Sequence, residues 1–349
     1  MEAAISAGLP VEIGRIDKEL GKLWESSDDT KTRASLINLA IYTEDAASIA
    51  ANTEIIADIA GKHACRAILI LGNPGASVSQ ARAWISAHCH LVGKGGRQIC
   101  SEQITFQLDG EAAEALPSIV FSHLDSDLPF CFWWRGDFRE PLDQKLWIWV
   151  DRLIFDSATW ADPVGQFELA ARISALGDSS VVLCDLNWTR LYSCRFALAG
   201  LFDHPAALPC LARLSSVKIR CAPGCRTTAM LLLGWLAAQL GWKLEHLLSS
   251  SFFVGGNGRH ITFDVEETPG PAISFVQLCA EGACFELCRS ADSDFFNGRI
   301  HAPGFPDSVA TLKAGREKLT DVLLAELSRG GRHPLYAKAL AAVKPLFHL

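Results

Sequence analysis

The stretch SLINLAIY, residues 35–42, is the first of a series of short apolar segments that decide the fold. A helical pattern at 44–60 follows it, begins with two acidic residues and is followed by Gly61. Acidic residues favour the first turn of a helix, and glycine often comes after the last. A second apolar segment, RAILIL, occupies 66–71. This order of strand, helix and strand predicts a parallel pair of strands joined by a helical crossover.

The same alternation continues as far as residue 202, after a first amphipathic helix at 13–24. Strands are predicted at 98–108, 129–134, 153–156 and 180–185. Helices are predicted at 79–92, 110–124, 142–151, 164–176 and 188–202. Apolar strands alternating with amphipathic helices are typical of a mainly parallel, Rossmann-like sheet with helices on both faces. The sequence therefore predicts an α/β fold for this part of the chain.

The last third of the chain has a different pattern. A strand at 211–222 and a strongly apolar helix at 226–242 precede three segments with turn residues between them, at 259–267, 272–280 and 282–290. These three segments predict an antiparallel meander in a smaller α+β domain. A helix is predicted at 308–327, then a break at RGG and a last helix. The predicted domains are an N-terminal helix and linker at 1–30, an α/β domain at 31–205 and an α+β domain at 206–349.

Composition and charge exclude several classes of function. The 349 residues include 32 Lys and Arg against 39 Asp and Glu, a formal charge of −7, so nucleic acid is not an expected partner. The longest apolar run, 229–242, is too short and too interrupted to cross a bilayer. No basic region followed by an apolar stretch opens the chain, so we expect no secretory signal and predict a cytoplasmic location.

Familiar catalytic and cofactor motifs are incomplete in this sequence. The loop ILGNPGASVS at 70–79 is predicted to join a strand to a helix start and so could hold an anion, but it lacks the lysine of a P-loop and the three glycines of a dinucleotide site. An ordinary turn is the favoured interpretation. Cys221 and Cys225 have neither redox spacing nor a second pair of zinc ligands. We therefore predict no catalytic residues, no metal and no bound cofactor.

One hairpin places thiols close together. If Glu281 and Gly282 form a two-residue turn, Cys279 lies directly opposite Cys284, and Cys288 points to the same face. The sulfurs are either candidate redox thiols or small apolar side chains of a sheet. The sequence leaves both interpretations open and favours the second.

Polar and aromatic residues follow three of the predicted parallel strands. Ligands of open α/β sheets bind beyond the carboxyl ends of the strands, so these residues are candidates for a shared crevice or a partner contact. The alternative is that the aspartates cap the following helices and pair with the arginines as scaffold, which we favour for Arg135. The positions are Trp134, Arg135, Asp156, Trp160, Asp185, Trp188 and Arg190.

Five segments in order along the chain resemble the OpcA family of glucose-6-phosphate dehydrogenase assembly proteins. They are LPFCFWWRG at 128–136, RLIFDSATW at 152–160, DLNWTRLYSCRFALAGLFD at 185–203, LLLGWLAAQLGW at 231–242 and ELSRGGRHPLYAKAL at 326–340. The resemblance implies a regulatory partner without a reaction of its own. Such a partner binds the dehydrogenase and promotes its active oligomeric form in the oxidative pentose phosphate pathway. For photosynthetic members it also implies control by thioredoxin through cysteines.

Two functions from different classes follow from these observations. The first is an assembly factor that docks on the dehydrogenase through an aromatic surface, for which the ten tryptophans are the candidates. The alternative is an α/β protein or enzyme that binds a sugar phosphate or nucleotide in the crevice at the strand ends.

Overall fold

The computed structural model describes residues 8–25, 31–92, 97–176, 181–247, 250–302, 308–315 and 318–348. The strands in these ranges are β1 Leu9–Val11, β2 Lys31–Arg33, β3 Ile37–Thr43, β4 Cys65–Asn73, β5 Gln80–Val92, β6 Arg97–Asp109, β7 Phe130–Arg135, β8 Arg152–Phe155, β9 Val182–Asp185, β10 Leu214–Cys221, β11 Lys243–Leu247, β12 Ser250–Val254, β13 His260–Glu267, β14 Ile273–Ala280, β15 Ala283–Cys288, β16 Phe295–His301 and β17 Ser308–Lys313. The α-helices are α1 Ile16–Glu25, α2 Ile49–Ala60, α3 Leu116–Phe121, α4 Gln144–Trp147, α5 Pro163–Ser174, α6 Leu186–Arg190, α7 Tyr192–Gly200, α8 Arg226–Leu240, α9 Leu319–Leu327 and α10 Pro334–Val343.

The chain folds into two compact units. The first contains Met1–Phe155, Gln166–Cys184 and Leu323–Gly331, and the second contains Asp156–Gly165, Asp185–Val322 and Arg332–Leu349. Each unit is therefore assembled from separate stretches of the chain. The domain ranges 1–30, 31–205 and 206–349 stay a prediction about which parts fold on their own.

The first unit is built on a mainly parallel sheet. The strand order is β1-β5-β6-β4-β3-β7-β8-β9, with β2 paired to β6. Strands β6, β4, β3, β7 and β8 run parallel, while β5 is antiparallel to β6 and β1 is antiparallel to β5. All seven residues of β3 are buried, as expected for a central strand covered on both faces. The predicted α/β class is confirmed.

The prediction of a helix at 79–92 is wrong, because this segment is strand β5. Every residue of β5 pairs with β6, and the burial alternates, with Ala83 and Ile85 buried while Arg82 and Trp84 are half-buried. Alanine-rich segments favour helices, but pairing along the whole of β6 overrides that local preference. The glycine-containing loop at 70–79 thus leads into a strand, so the expected helix start is absent there.

The second unit is built on an eight-stranded sheet with the order β11-β12-β13-β10-β14-β15-β16-β17. Within this sheet, β10 and β13 are the one parallel pair among the strand pairs that the structure describes. Strands β14 to β17 form a continuous antiparallel meander. The predicted antiparallel pairing of 272–280 with 282–290 is confirmed. The segment at 259–267 is not part of the meander, because β10 lies between β13 and β14 and pairs in parallel with β13. The apolar helix predicted at 226–242 is α8, and eleven of its fifteen residues are buried.

The prediction of a helix at 308–327 needs correction, and part of the predicted linker lies outside the described residues. The helix predicted at 308–327 is instead strand β17 followed by helix α9, because β17 completes the meander on β16 and Gly315 then turns the chain with a φ of +80°. The last part of the helix and linker predicted at 1–30 falls on 26–30, which lie outside the described residues, and the residues that follow form β2. In the described ranges, each helix is too short or too polar to cross a lipid bilayer.

Candidate functional site

Trp134 and Arg135 are the last two residues of strand β7 in the first unit, and both contact neighbouring side chains. The indole of Trp134 stacks on the ring of Tyr42, with the centroids 3.9 Å apart. The Arg135 guanidinium donates to Oδ1 of Asn52 and lies 4.9 Å from the centroid of the Trp133 ring. These contacts join Arg135 to side chains of its own unit.

Asp156 and Arg190 form an ion pair in the second unit. Two nitrogens of Arg190 donate to the two carboxylate oxygens of Asp156 at 2.7 and 2.6 Å. This paired geometry is the strongest that an arginine and a carboxylate adopt. The Asp156 carboxylate also accepts from the backbone N–H of Ala158 at 3.3 Å and so caps the short 3-10 turn that follows β8. The structure therefore brings together two of the predicted residues.

Asp185 is the centre of a buried polar network in the same unit. Its carboxylate is 2% exposed and accepts hydrogen bonds from the N–H and hydroxyl of Ser157, from the N–H of Asn187 and from the hydroxyl of Tyr336, at 2.7 to 3.2 Å. The Asn187 side chain donates to the Ser157 hydroxyl at 3.0 Å and accepts from the Thr228 hydroxyl at 2.8 Å. Four donors thus satisfy one buried carboxylate.

Burial raises the pKa of Asp185 to about 7, because a charged carboxylate loses its hydration inside the protein. The hydrogen bonds from Ser157 oppose this rise, and the negative charge of Asp156 adds to it. Asp185 is thus poised between its two protonation states near neutral pH.

Trp160 and Trp188 are both buried inside the second unit. The Arg195 guanidinium lies 3.6 Å from the centroid of the Trp188 ring and donates to the Trp188 carbonyl oxygen at 2.8 Å. The Tyr336 ring also lies beside Trp188, with the ring centroids 5.6 Å apart. These two tryptophans contact other residues of the protein and are not placed at its surface.

A cavity of about 270 Å³ lies beside the Asp156–Arg190 ion pair. It is bounded by the turn after β8, by helices α6 and α7, by the start of α8 and by strands β14 and β16. Its polar and charged lining includes Asp156, Thr159, Asn187, Arg190, Cys225 and Arg289. Of these residues, the sequence analysis singled out Asp156 and Arg190 as site candidates.

The hairpin of β14 and β15 has the predicted register. Cys279 lies opposite Cys284 and is joined to it by a disulfide, with their Cα atoms 4.2 Å apart. Cys288 is a half-buried thiol four residues further along β15, about 13 Å away at the usual rise of a strand. Burial raises the pKa of Cys288, with a further contribution from Glu286, so its reactive thiolate form is disfavoured. Cys288 is therefore not a partner of this disulfide.

A second disulfide joins Cys89 of β5 to Cys100 of β6 in the first unit. Sequence reasoning missed it, because the segment that carries Cys89 was predicted as a helix. The pairing of β5 with β6 places the two residues directly opposite each other.

Sequence reasoning also missed the residues of the hydrogen-bond network around Asp185, although they lie in or beside segments that carry the family resemblance. Ser157 lies in DSATW, Asn187 in DLNWTR and Tyr336 in HPLYAKAL, and Thr228 lies three residues before LLLGW. The network therefore joins four parts of the chain that are distant in sequence.

Comparisons with known proteins define the class of this chain. Residues 56–172 match the family domain described as the N-terminal domain of a glucose-6-phosphate dehydrogenase subunit. Residues 181–340 match the domain described as the C-terminal domain of the same kind of subunit. Together the two matches span most of the chain, in the expected order. The chain belongs to the OpcA family.

Individual relatives agree with this assignment. The chain is 26% identical over 286 residues to the OxPP cycle protein OpcA of Synechococcus elongatus, a match that covers 75% of this chain and 63% of that protein. It is 24% identical over 324 residues to OpcA of Nostoc punctiforme, covering 84% and 67%. The chain therefore spans less than two thirds of the first relative's length.

Among solved structures, an aldose-aldose oxidoreductase from Caulobacter crescentus complexed with glycerol aligns at a TM-score of 0.49 and 11% identity, covering 89% of this chain and 96% of that one. A similarity this weak does not bear on the activity of this chain.

Proposed function

We propose that this protein is a non-catalytic assembly factor that binds glucose-6-phosphate dehydrogenase and promotes its active oligomeric form in the oxidative pentose phosphate pathway. The observation that carries the proposal is membership of the OpcA family, whose two domains are described as those of a glucose-6-phosphate dehydrogenase subunit. The contacts of Arg135 with Asn52 and Trp133 support a structural role for the end of strand β7. The cytoplasmic location and the absence of nucleic-acid and membrane partners stay predictions.

Six of the ten tryptophans are buried and three are half-buried, which leaves Trp149 as the exposed one, at 62%. A different aromatic pair is exposed on helix α7. Tyr192 is 55% exposed and Phe196 is 63% exposed, one helical turn apart, with their rings stacked at 6.3 Å between centroids. Both lie in the family-like segment at 185–203. Interface hot spots are enriched in aromatic residues, so we place the contact with the dehydrogenase on this face of α7.

The double variant Tyr192→Ala/Phe196→Ala is expected to weaken binding to the cognate dehydrogenase by at least about tenfold, the usual loss when a hot-spot aromatic is truncated. Isothermal titration of the dehydrogenase with each variant measures the change. Leu247→Ala is the matched control, because Leu247 is also 63% exposed but lies on edge strand β11. Equal losses in both variants, or none in either, would contradict the placement on α7.

We propose that the Cys279–Cys284 disulfide makes activation of the dehydrogenase redox-sensitive. A dithiol reductant such as thioredoxin would break the S–S bond, giving two thiols here and a disulfide in the reductant. Cys279 and Cys284 lie on the side of the sheet on which alternate residues of β14 and β15 are half-buried. A reductant can therefore reach the disulfide from that side.

In the variant Cys279→Ser/Cys284→Ser, the oxidised and reduced proteins are expected to give the same dehydrogenase activation curve. Activity titrations after treatment with oxidant or with reduced thioredoxin measure this difference. The control is Cys89→Ser/Cys100→Ser, which removes the other disulfide and is expected to keep the difference. If the difference persists without Cys279 and Cys284, the hairpin disulfide is structural only.

A further inference from the structure

The cavity beside the Asp156–Arg190 pair has the dimensions of a site for a small ligand. Its volume of about 270 Å³ lies near the lower end of the range for ligand pockets, about 300 Å³. All the residues that line it belong to the second unit. It is therefore a property of that unit alone.

The charged side chains in the described lining give the cavity a positive balance. They are Asp156, Arg190 and Arg289, one negative and two positive groups, a formal charge of +1. Arg190 is held in a fixed plane by Asp156. The Nε of Arg289 donates to the carbonyl oxygen of Ser293 at 3.0 Å, and its guanidinium lies 5.8 Å from the centroid of the Phe296 ring. Two positioned guanidinium groups favour the binding of phosphate.

Two further observations fit an anion in this cavity. Burial raises the pKa of the lining residue Cys194, and the positive charges of Arg195 and Arg289 oppose that rise, so Arg289 lies close to this part of the wall. Helix α8, fifteen residues long, begins at the wall that carries Cys225 and Thr228. The N-cap residue Cys225 makes no side-chain cap hydrogen bond to the helix, so the partial positive charge of the helix start adds to that of the arginines.

Apart from Thr159 and Asn187, the rest of the wall is apolar. Leu191, Ile273 and Phe296 line it, together with three alanines. A ligand that fits must therefore combine an anionic group with a carbon skeleton of modest size.

We propose that this cavity binds a small phosphomonoester, with the phosphate between Arg190 and Arg289 and the carbon skeleton against Ile273 and Phe296. This goes beyond the assembly role, because it makes the protein a receptor for a phosphorylated metabolite. The site does not need the dehydrogenase to be present.

The test is a thermal unfolding series on the full chain alone. The probes are glucose 6-phosphate, fructose 6-phosphate, AMP and inorganic phosphate, with glucose as the uncharged control. At least one phosphomonoester, but not glucose, is expected to raise the Tm by at least about 2 °C at a concentration far above its Kd. No shift with any phosphomonoester, or an equal shift with glucose, would overturn the proposal.

Variants then locate the binding. Arg289→Gln is expected to raise the Kd of the responding probe at least about tenfold in isothermal titration, because one charge-assisted hydrogen bond to the phosphate is lost. Arg299→Gln, an exposed arginine on β16, is the matched control and is expected to leave the Kd unchanged. If Arg289→Gln does not fold, Arg289→Lys is expected to weaken binding by losing the planar fork. An unchanged Kd in the folded Arg289 variant would overturn the placement. Co-elution with the dehydrogenase is measured separately, so failure here leaves the assembly role untouched.

Discussion

Replacement of Asp185 by alanine is expected to lower the free energy of unfolding by at least about 4 kcal/mol. The substitution leaves four buried donors, from Ser157, Asn187 and Tyr336, without their acceptor, and each such group costs about 1–3 kcal/mol. Losses above about 4 kcal/mol occur when a buried polar network is broken. Urea unfolding followed by tryptophan fluorescence measures the change.

The pH dependence of the free energy of unfolding is a second measurement on the same variant. The pKa of Asp185 is raised from 3.8 to about 7, so its contribution to stability is fully present below about pH 4 and is lost as the pH rises through about 7. The difference between wild type and Asp185→Ala is therefore expected to be smaller at pH 8 than at pH 5. Asp292→Ala, at an exposed aspartate, is the control. It is expected to change neither the free energy of unfolding nor its pH dependence. A loss below about 1 kcal/mol for Asp185→Ala would contradict the role assigned to the network.

The second large effect is expected for Gly234→Ala, which should lower the free energy of unfolding by about 3 kcal/mol. A Cβ atom at Gly234 would overlap the carbonyl oxygen of Ala339 and lie 2.9 Å from its carbonyl carbon and 3.0 Å from Cγ2 of Val343. Helix α10 packs directly against Gly234 of helix α8, and its backbone must shift to admit the methyl group. Overpacking of this kind costs about 1–3 kcal/mol, or more where backbone is displaced.

Gly21→Ala is the matched control for that substitution. Gly21 is also inside a helix, α1, and a Cβ there would meet nothing within 4 Å. The higher helix propensity of alanine should then stabilise the protein by about 0.5–1 kcal/mol. Chemical denaturation of both variants measures the two changes. If both glycine variants were more stable than wild type, the close approach of α8 and α10 would be wrong.

The parallel sheet could be predicted because its strands are continuous apolar runs, such as 35–42 and 66–71. Strands β5 and β17 could not, since what makes them strands is pairing with β6 and β16 and not their local composition. The two disulfides show the same contrast. Cys279 and Cys284 are separated by a two-residue turn that fixes their register, whereas Cys89 and Cys100 meet only once β5 is known to be a strand.

The candidate site was predicted only in part for a similar reason. Asp156 and Arg190 could be found because Asp156 comes directly after β8 and Arg190 five residues after β9, where an α/β sheet gathers polar residues. Tyr336 could not, because it reaches Asp185 from 151 residues further along the chain. Arg289 comes to the cavity from the connection between β15 and β16 of the meander, a part of the fold that the strand-end rule does not cover.

The central claim is that this protein binds and activates glucose-6-phosphate dehydrogenase. The most direct measurement titrates the cognate dehydrogenase with this protein and records its activity together with the molar mass from light scattering. We expect a complex that contains both proteins, a shift of the dehydrogenase to a larger oligomer, and a rate that rises to saturation. A dehydrogenase whose molar mass and rate stay unchanged at every ratio would contradict the account.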